Sequence, residues 1–502
     1  MRTIRTPQSR CRFGIARRDV TPPVGIYHRM WGAAAHDRAT GVHRPLTATA
    51  MVFQAVDAEV PVETPHDSPH PNPPPHEGGG KQVVVAVDHC LLWAREMEDL
   101  TTSVCSAAEI DRERLVVTFS HTHAAGLMGH ERSELPGGDL IAPYLTQLAH
   151  EIAEAVREAR RSVEPVAIAY GTGRCTLAGH RDFWDDESKQ FVCGFNPDRQ
   201  ADDTVLVARV TNREQQTVAT FVNYACHPTT LAWDNTLISP DFPGAMRELV
   251  EQATGAPCVF LQGASGDLGP REGFVGDTSV ADRNGRQLGY AALAALEALA
   301  PADTRFEYAG PVVSGATIGT WRHRPLDDSA EGELHRWRCR RWTIPLAYRA
   351  ELPSADMTRK NLETWQADER AARQNGDGTA AAEYRALAER ARRALVRMQA
   401  LPPDDSFPYP ITLWRMGDAF WLAVEGEPYN LLARALRERF PDVALVTATL
   451  AGGSRCSYLP TASTYGKGIY QEQIAVLAPG CLERVIDAAG QQIEQWHRDG
   501  SS

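Results

Sequence analysis

The sequence predicts an α/β fold of layered, mixed β-sheets covered by helices, interrupted by a helical insertion. Three features predict it. Apolar, β-branched runs of strand length recur along the chain, segments with apolar residues at helical spacing fall between them, and residues 321–400 turn abruptly to Arg, Glu and Ala.

Residues 44–57 (RPLTATAMVFQAVD) and 81–88 (KQVVVAVD) read as neighbouring strands of one sheet. Between them, 64–80 (TPHDSPHPNPPPHEGGG) holds too much Pro, His and Gly to keep a hydrogen-bonded ladder or bury apolar surface. A disordered insertion at a hairpin tip, residues 64–81, is expected there, with His66, His70 and His76 in a solvated loop. A helix follows over 94–108, then the strand RLVVTFS and a polar turn at 121–126. Leu145, Leu148, Ile152 and Val156 mark an amphipathic helix over 144–162. Strands are expected at 166–170, 204–210, 218–224 and 258–261, with a helix at 243–253 before the last. Residues 362–401 read as a long helix broken at Gly376–Gly378. Beyond it come strands at 411–416, 419–424 and 444–449 and helices at 429–440 and 481–495. The expected organisation is one discontinuous α/β domain, 11–320 and 406–498, with 321–405 as a helical insertion or lid.

Bulk composition narrows the function classes. With 502 residues, 43% hydrophobic and 23% charged, the chain has the make-up of a folded soluble protein. A net charge of -12 repels a phosphate backbone, so nucleic acid is not an expected partner. The ten cysteines are scattered without a CxxC pair, which argues against a thiolate zinc site or a dithiol redox motif. No signal-like leader or apolar run of spanning length is visible, so a cytoplasmic location is expected. Oligomeric state is not legible.

Two clusters carry chemistry. SHTHAAG (120–126) follows the strand LVVTFS directly, placing His121 and His123 at a strand end. In an extended strand their side chains would diverge, so joint use requires the chain to turn, which Ala-Ala-Gly permits. NYACHPTT (223–230) repeats the pattern, with His227 at the end of an apolar strand and Pro228 beyond it. Two imidazoles, a carboxylate and one open position make a hydrolytic zinc site. Glu427, between a strand and a helix in AVEGEPYN, is the candidate carboxylate, although it equally suits a helix first turn.

Taken together these pieces resemble the neutral, non-lysosomal ceramidases. HPTTLAWDNTLISPDFPG (227–244) is similar to that family's HPTS...NTLISSDNKG, TFSHTHAAG to its THTHSGPGG, and VEGEPYN to its PGEFTT segment. CSYLPTASTYGKGIYQEQ resembles its GYVTT...HYEG segment, with Tyr458 and Tyr470 twelve residues apart. The resemblance covers most of 13–495 and is to the N-terminal catalytic domain alone. It implies an αββα core and a zinc held by His121, His227, Glu427 and Tyr458, with His123 beside the metal. It also implies that Arg181 (in GHRD) and Tyr470 face the scissile amide. Sphingolipid or other lipid-like N-acyl substrates follow from the same likeness. One departure stands out: the family's GDVSPN serine is Gly269 in GDLGPR, and Ser265 lies four residues early. Ceramide itself is therefore not implied.

The resulting expectation is a zinc-dependent hydrolase of an amide or related acyl bond that uses a metal-activated water. Asp88 and Asp241 are candidates to orient a ligand imidazole, or to cap a turn or helix. The alternative, prompted by Gly269, is a family member that binds a ligand or partner without turnover. An amidohydrolase barrel or metallo-β-lactamase fits less well, because Ala125 and Gly126 stand where HxHxDH needs its aspartate and last histidine.

Overall fold

The computed structural model describes residues 2–56, 76–77 and 80–498. The insertion expected at 64–81 falls outside them except for His76–Glu77, Gly80 and Lys81. Eight strands form the larger sheet, in the order Cys258–Gln262, Thr217–Tyr224, Thr204–Asn212, Glu164–Arg174, Gln8–Asp19, Thr47–Gln54, Lys81–Val87, Leu115–Phe119. The outermost pair at each edge is parallel and every other pairing is antiparallel. The strands expected at 44–57 and 81–88 are indeed neighbours. Gln8–Asp19 is central although periodicity does not mark it, because Arg10, Arg12, Arg17 and Arg18 interrupt its apolar residues.

A second sheet runs Ala444–Ala448, Ala419–Val424, Ser406–Met416, Trp337–Ala347, His76–Glu77. The two sheets pack face to face. Alternation along each strand sends Val84 and Val116 between the sheets and Val83, Val85 and Val117 to the outer face. Phe53 and Phe221 of the larger sheet meet Trp421 of the smaller at ring separations of 5.3 and 5.5 Å. Helices Ala94–Ala108 and Ile141–Arg161 bury Leu100, Val104, Leu148 and Ile152 on the outer face of the larger sheet, and Phe242–Thr254 and Thr278–Glu297 cover the rest. Leu432, Leu436, Leu482 and Val485, from Leu431–Arg439 and Cys481–Arg498, cover the smaller sheet. The architecture is helix, sheet, sheet, helix.

Segment 321–405, expected from composition to be a helical insertion, is not helical throughout. Thr317–Pro325 and Trp337–Ala347 are strands, and the second pairs with Ser406–Met416 along its whole length. Its interspersed arginines disguise it, because Arg338, Arg340 and Arg341 are at most half-buried at the flank of the sheet. What remains is a helical hairpin, Ala355–Gln374 and Gly378–Ala400, divided where Gly376 takes φ +76° and the Asp377 carboxylate accepts a hydrogen bond from Ala380 N at 3.0 Å. The second of these helices lies over the sheet edge and is called the roof helix below.

Sheet twist positions the site. Leu115–Phe119 and Thr217–Tyr224 run in opposite senses within the ladder, yet the residues beyond their carboxyl ends meet. Strand twist of about 20–25° per strand, accumulated over eight strands, amounts to roughly half a turn and reverses the apparent direction of one edge. The edge strands Leu115–Phe119 and Cys258–Gln262 approach each other accordingly. No helix among the described residues is long and apolar enough to cross a membrane.

Candidate metal centre

His121 follows its strand by two residues and turns in place, with φ +68°, a left-handed conformation that costs a residue with a Cβ about 1 kcal/mol or more. The turn expected at Ala-Ala-Gly thus begins on the histidine itself. Its backbone N–H donates to His89 O at 2.9 Å, and its ring Nδ1 lies 2.7 Å from Cys90 O. The His227 ring Nδ1 lies 2.7 Å from Ser265 O, with Leu268 O at 3.2 Å. Carbonyl oxygens only accept, so both Nδ1 atoms carry a proton and Nε2 is the atom each ring offers to a metal; in the chain alone burial would lower His121, but Cys90 and Glu427 outweigh it and hold it well above its usual value.

Those two Nε2 atoms converge on a carboxylate. Glu427 Oε2 lies 3.2 Å from His121 Nε2 and 3.0 Å from His227 Nε2, and all three side chains are buried. A two-residue parallel ladder puts Glu427 in register with Tyr458, whose hydroxyl lies 3.4 Å from His227 Nε2. Two ring nitrogens and a carboxylate oxygen therefore face one another within 4.8 Å, an arrangement that a proton on His121 holds together in the chain alone and that a cation can take over. In the chain alone, burial would raise the Glu427 carboxyl, but the two imidazoles outweigh it and hold the group well below its usual range. Burial and the neighbouring Arg181 push His227 down to about 3. Two neutral imidazoles and a carboxylate form a donor set that suits zinc. Cys90, His121 and His123 form a second close set, but Cys90 Sγ faces the Nδ1 that His121 already uses toward Cys90 O, so this set fits a metal less well.

The remaining expected residues surround this centre. His123 Nε2 lies 3.5 Å from His121 Nε2, its ring packs 5.2 Å from Trp31, and its buried Nδ1 has no partner among the described residues. Arg181, on strand Ala178–Asp185, donates to Gly266 O at 2.7 Å and holds its guanidinium 5.2 Å from the Tyr458 ring centre. Tyr470 opens the short helix Tyr470–Ile474, 6.0 Å ring to ring from Tyr458, and is 41% exposed. A cavity of about 520 Å³ reaches His121, His123, Arg181, Glu427, Tyr458 and Tyr470, with His227 closing the floor behind them. Trp31, Trp93, Leu127, Trp233 and Phe274 supply its apolar wall. The structure brings all seven expected residues together.

Of the two aspartates expected either to orient an imidazole or to cap a turn or helix, neither orients a ring and Asp241 is a cap. Asp88 does not reach either imidazole; it takes two hydrogen bonds from Arg247, at 2.9 and 2.5 Å, and two from Thr47. Asp241 caps the helix Phe242–Thr254 and accepts from Leu231 N at 2.9 Å. Backbone carbonyls orient the rings instead. Ser265 does not replace the residue missing at Gly269, because its hydroxyl accepts from Gln262 at 2.6 Å and sits on the Nδ1 side of His227, away from Glu427. A Cβ at Gly269 would meet Thr229 Oγ1 at 3.7 Å, in ordinary contact, so space for a serine remains. Thr229 lines the cavity with a buried hydroxyl that has no partner among the described residues, and sequence reasoning passed over it. It stands two residues after His227, the one signal available. The arginines of the roof helix were also missed as cavity residues.

No family model matches the sequence, and no curated protein matches it. Solved structures do. A ceramidase complexed with C2 superposes with a TM-score of 0.61 over 96% of this chain and 74% of that one, at 15% identity. Neutral ceramidase from Pseudomonas aeruginosa gives 0.59 over 98% and 75%, also at 15% identity. The fold is that of the neutral ceramidases. In this ceramidase fold the histidine-bearing strand ends of the larger sheet meet the Glu427–Tyr458 ladder at one rim, and the cavity opens there.

Proposed function

We propose that the chain is a zinc-dependent hydrolase of an amide, or of a related acyl bond, with a lipid-like N-acyl compound as substrate. The observation that carries this reading is the convergence of His121 Nε2, His227 Nε2 and Glu427 Oε2 at the floor of an apolar-walled cavity. Tyr458 completes the set of residues that would hold the metal. Zinc in such a site supplies a Lewis acid for the acyl oxygen and a water acidified to a pKa of about 7.

The chain's own groups do the rest. The Tyr470 hydroxyl and the unpartnered Arg181 Nε are donors already in place for negative charge developing on the acyl oxygen. His123, with its free Nδ1 at the cavity wall, is positioned to return a proton to the leaving amine. Trp31 and the aromatic wall exclude water and receive an alkyl chain. Gly269 is the one feature favouring binding without turnover.

Metal analysis of purified protein is the direct test. About one zinc per chain is expected, lost together with hydrolysis of N-acyl substrates in His121→Ala and His227→Ala. Stoichiometric zinc retained in both variants would overturn the reading. A zinc-loaded wild type inert toward a broad panel of N-acyl and ester substrates would favour the binding-only alternative.

A further inference from the structure

The roof helix closes the cavity with one face, Ala386, Glu389, Arg390, Arg393, Ala394 and Arg397. With Arg181, the lining holds four guanidinium groups against two carboxylates, Glu389 and Glu427. Neither carboxylate is free to balance the excess. Glu427 faces two imidazoles, while Glu389 already accepts from Arg393 at 2.8 Å and from the fully buried Arg132 at 2.7 Å. Arg390 donates to the neutral Gln473 at 2.8 Å. Arg397 makes no hydrogen bond or ion pair with any described residue, and its Nε is buried without a partner.

A guanidinium cannot shed its proton to escape such a site, and Arg397, partly open to the cavity with only its Nε buried, can be paired there only by water or by an anion arriving from outside. Arg397 lines the same cavity as Tyr470 and Glu427. Another wall, beside His123, is aromatic: Trp31 lies within 6.2 Å of Trp233 and 5.6 Å of Phe274, ring to ring. One cavity thus pairs an unsatisfied cationic wall with an apolar one.

We propose that the substrate is an anionic amphiphile, an N-acyl compound bearing a carboxylate near its amide, with Arg397 gripping the carboxylate beside Arg393 and Arg390. This rests on the hydrolase reading and narrows its substrate to the N-acyl amino acid class. Guanidinium–carboxylate hydrogen bonds of this kind discriminate against a neutral isostere by about tenfold or more.

The test compares N-lauroylglycine with N-lauroylethanolamine, equal in chain and differing in charge, on the full zinc-loaded chain and, by calorimetry, on the metal-free chain. Wild type should favour the glycine compound about tenfold or more in kcat/KM and in affinity, with the difference carried by KM. Arg397→Gln should bring that ratio toward one, and Arg397→Lys should restore part of it. Equal handling of the two compounds, or preference for the neutral one, overturns the proposal while cleavage of both leaves the hydrolase reading intact. Preferential binding of the glycine compound without cleavage of either upholds the anion site and sinks the hydrolase reading. Neither cleavage nor preference removes both.

Discussion

The floor and the roof of the cavity are built on different principles. On the floor, the two ligand histidines stand two and three residues beyond a strand, each backbone tied to another loop and each ring held by a carbonyl: His121 by Cys90, His227 by Ser265. The roof is a single helix of a hairpin, joined to the body through side-chain ion pairs, Arg132 to Glu389 and Arg385 to Asp37 among them. A floor made this way fixes the donor atoms 3.0–3.2 Å from the carboxylate oxygen they share. A roof held by ion pairs can change its residues, and hence the ligand it admits, without disturbing the centre below.

Separating the two regions experimentally should give its largest effect at Arg132. This side chain is fully buried, so Arg132→Met leaves Glu389 short of a partner and should cost about 3–5 kcal/mol in chemical denaturation. Zinc content should stay at the wild-type level. Loss of zinc from the variant would show that roof and floor form one unit and would break the contrast.

Acid should loosen the same joint. Burial raises the Glu389 carboxyl, but Arg132 and Arg393 outweigh it and bring it down to about 2, below its usual 4.5. A carboxylate depressed on folding stabilises the structure fully above its unfolded pKa, and that contribution fades as pH falls from about 4.5 through about 2. Hydrogen exchange in Gly378–Ala400 should therefore rise over this window, and Glu389→Gln should flatten the pH dependence. Unchanged protection at pH 3 would mean that other contacts hold the helix.

The smallest effect expected belongs to the floor. Tyr470→Phe should lower kcat about 10²-fold, roughly 2.7 kcal/mol, with little change in KM or denaturation midpoint, because it removes one donor to the developing charge. A rise in KM at constant kcat would assign Tyr470 to ground-state binding instead, alongside the roof arginines.

Legibility in the sequence followed the same division. His121 and His227 end apolar strands whose β-branched runs announce themselves, and the helix Ala94–Ala108 has the bounds its apolar spacing predicts. Trp337–Ala347 was hidden because arginines at the sheet flank masked its alternation. Asp88 looked like a partner for a ligand histidine, yet nothing local reveals that Arg247, 159 residues away, claims both its oxygens. Thr229 gave no signal beyond its closeness to His227.

By itself the sequence determined the element types, the strand-end positions of the histidines, and the kind of donor available at each. These depend on neighbours a few residues apart, through periodicity and backbone preference. Only the tertiary structure decided that His121, His227, Glu427 and Tyr458 meet, that carbonyls rather than carboxylates aim the imidazoles, and that Arg397 points into the cavity unpaired. Each of these depends on sheet twist and on contacts across hundreds of residues, where the direction a side chain faces is set by packing and leaves no trace in local pattern.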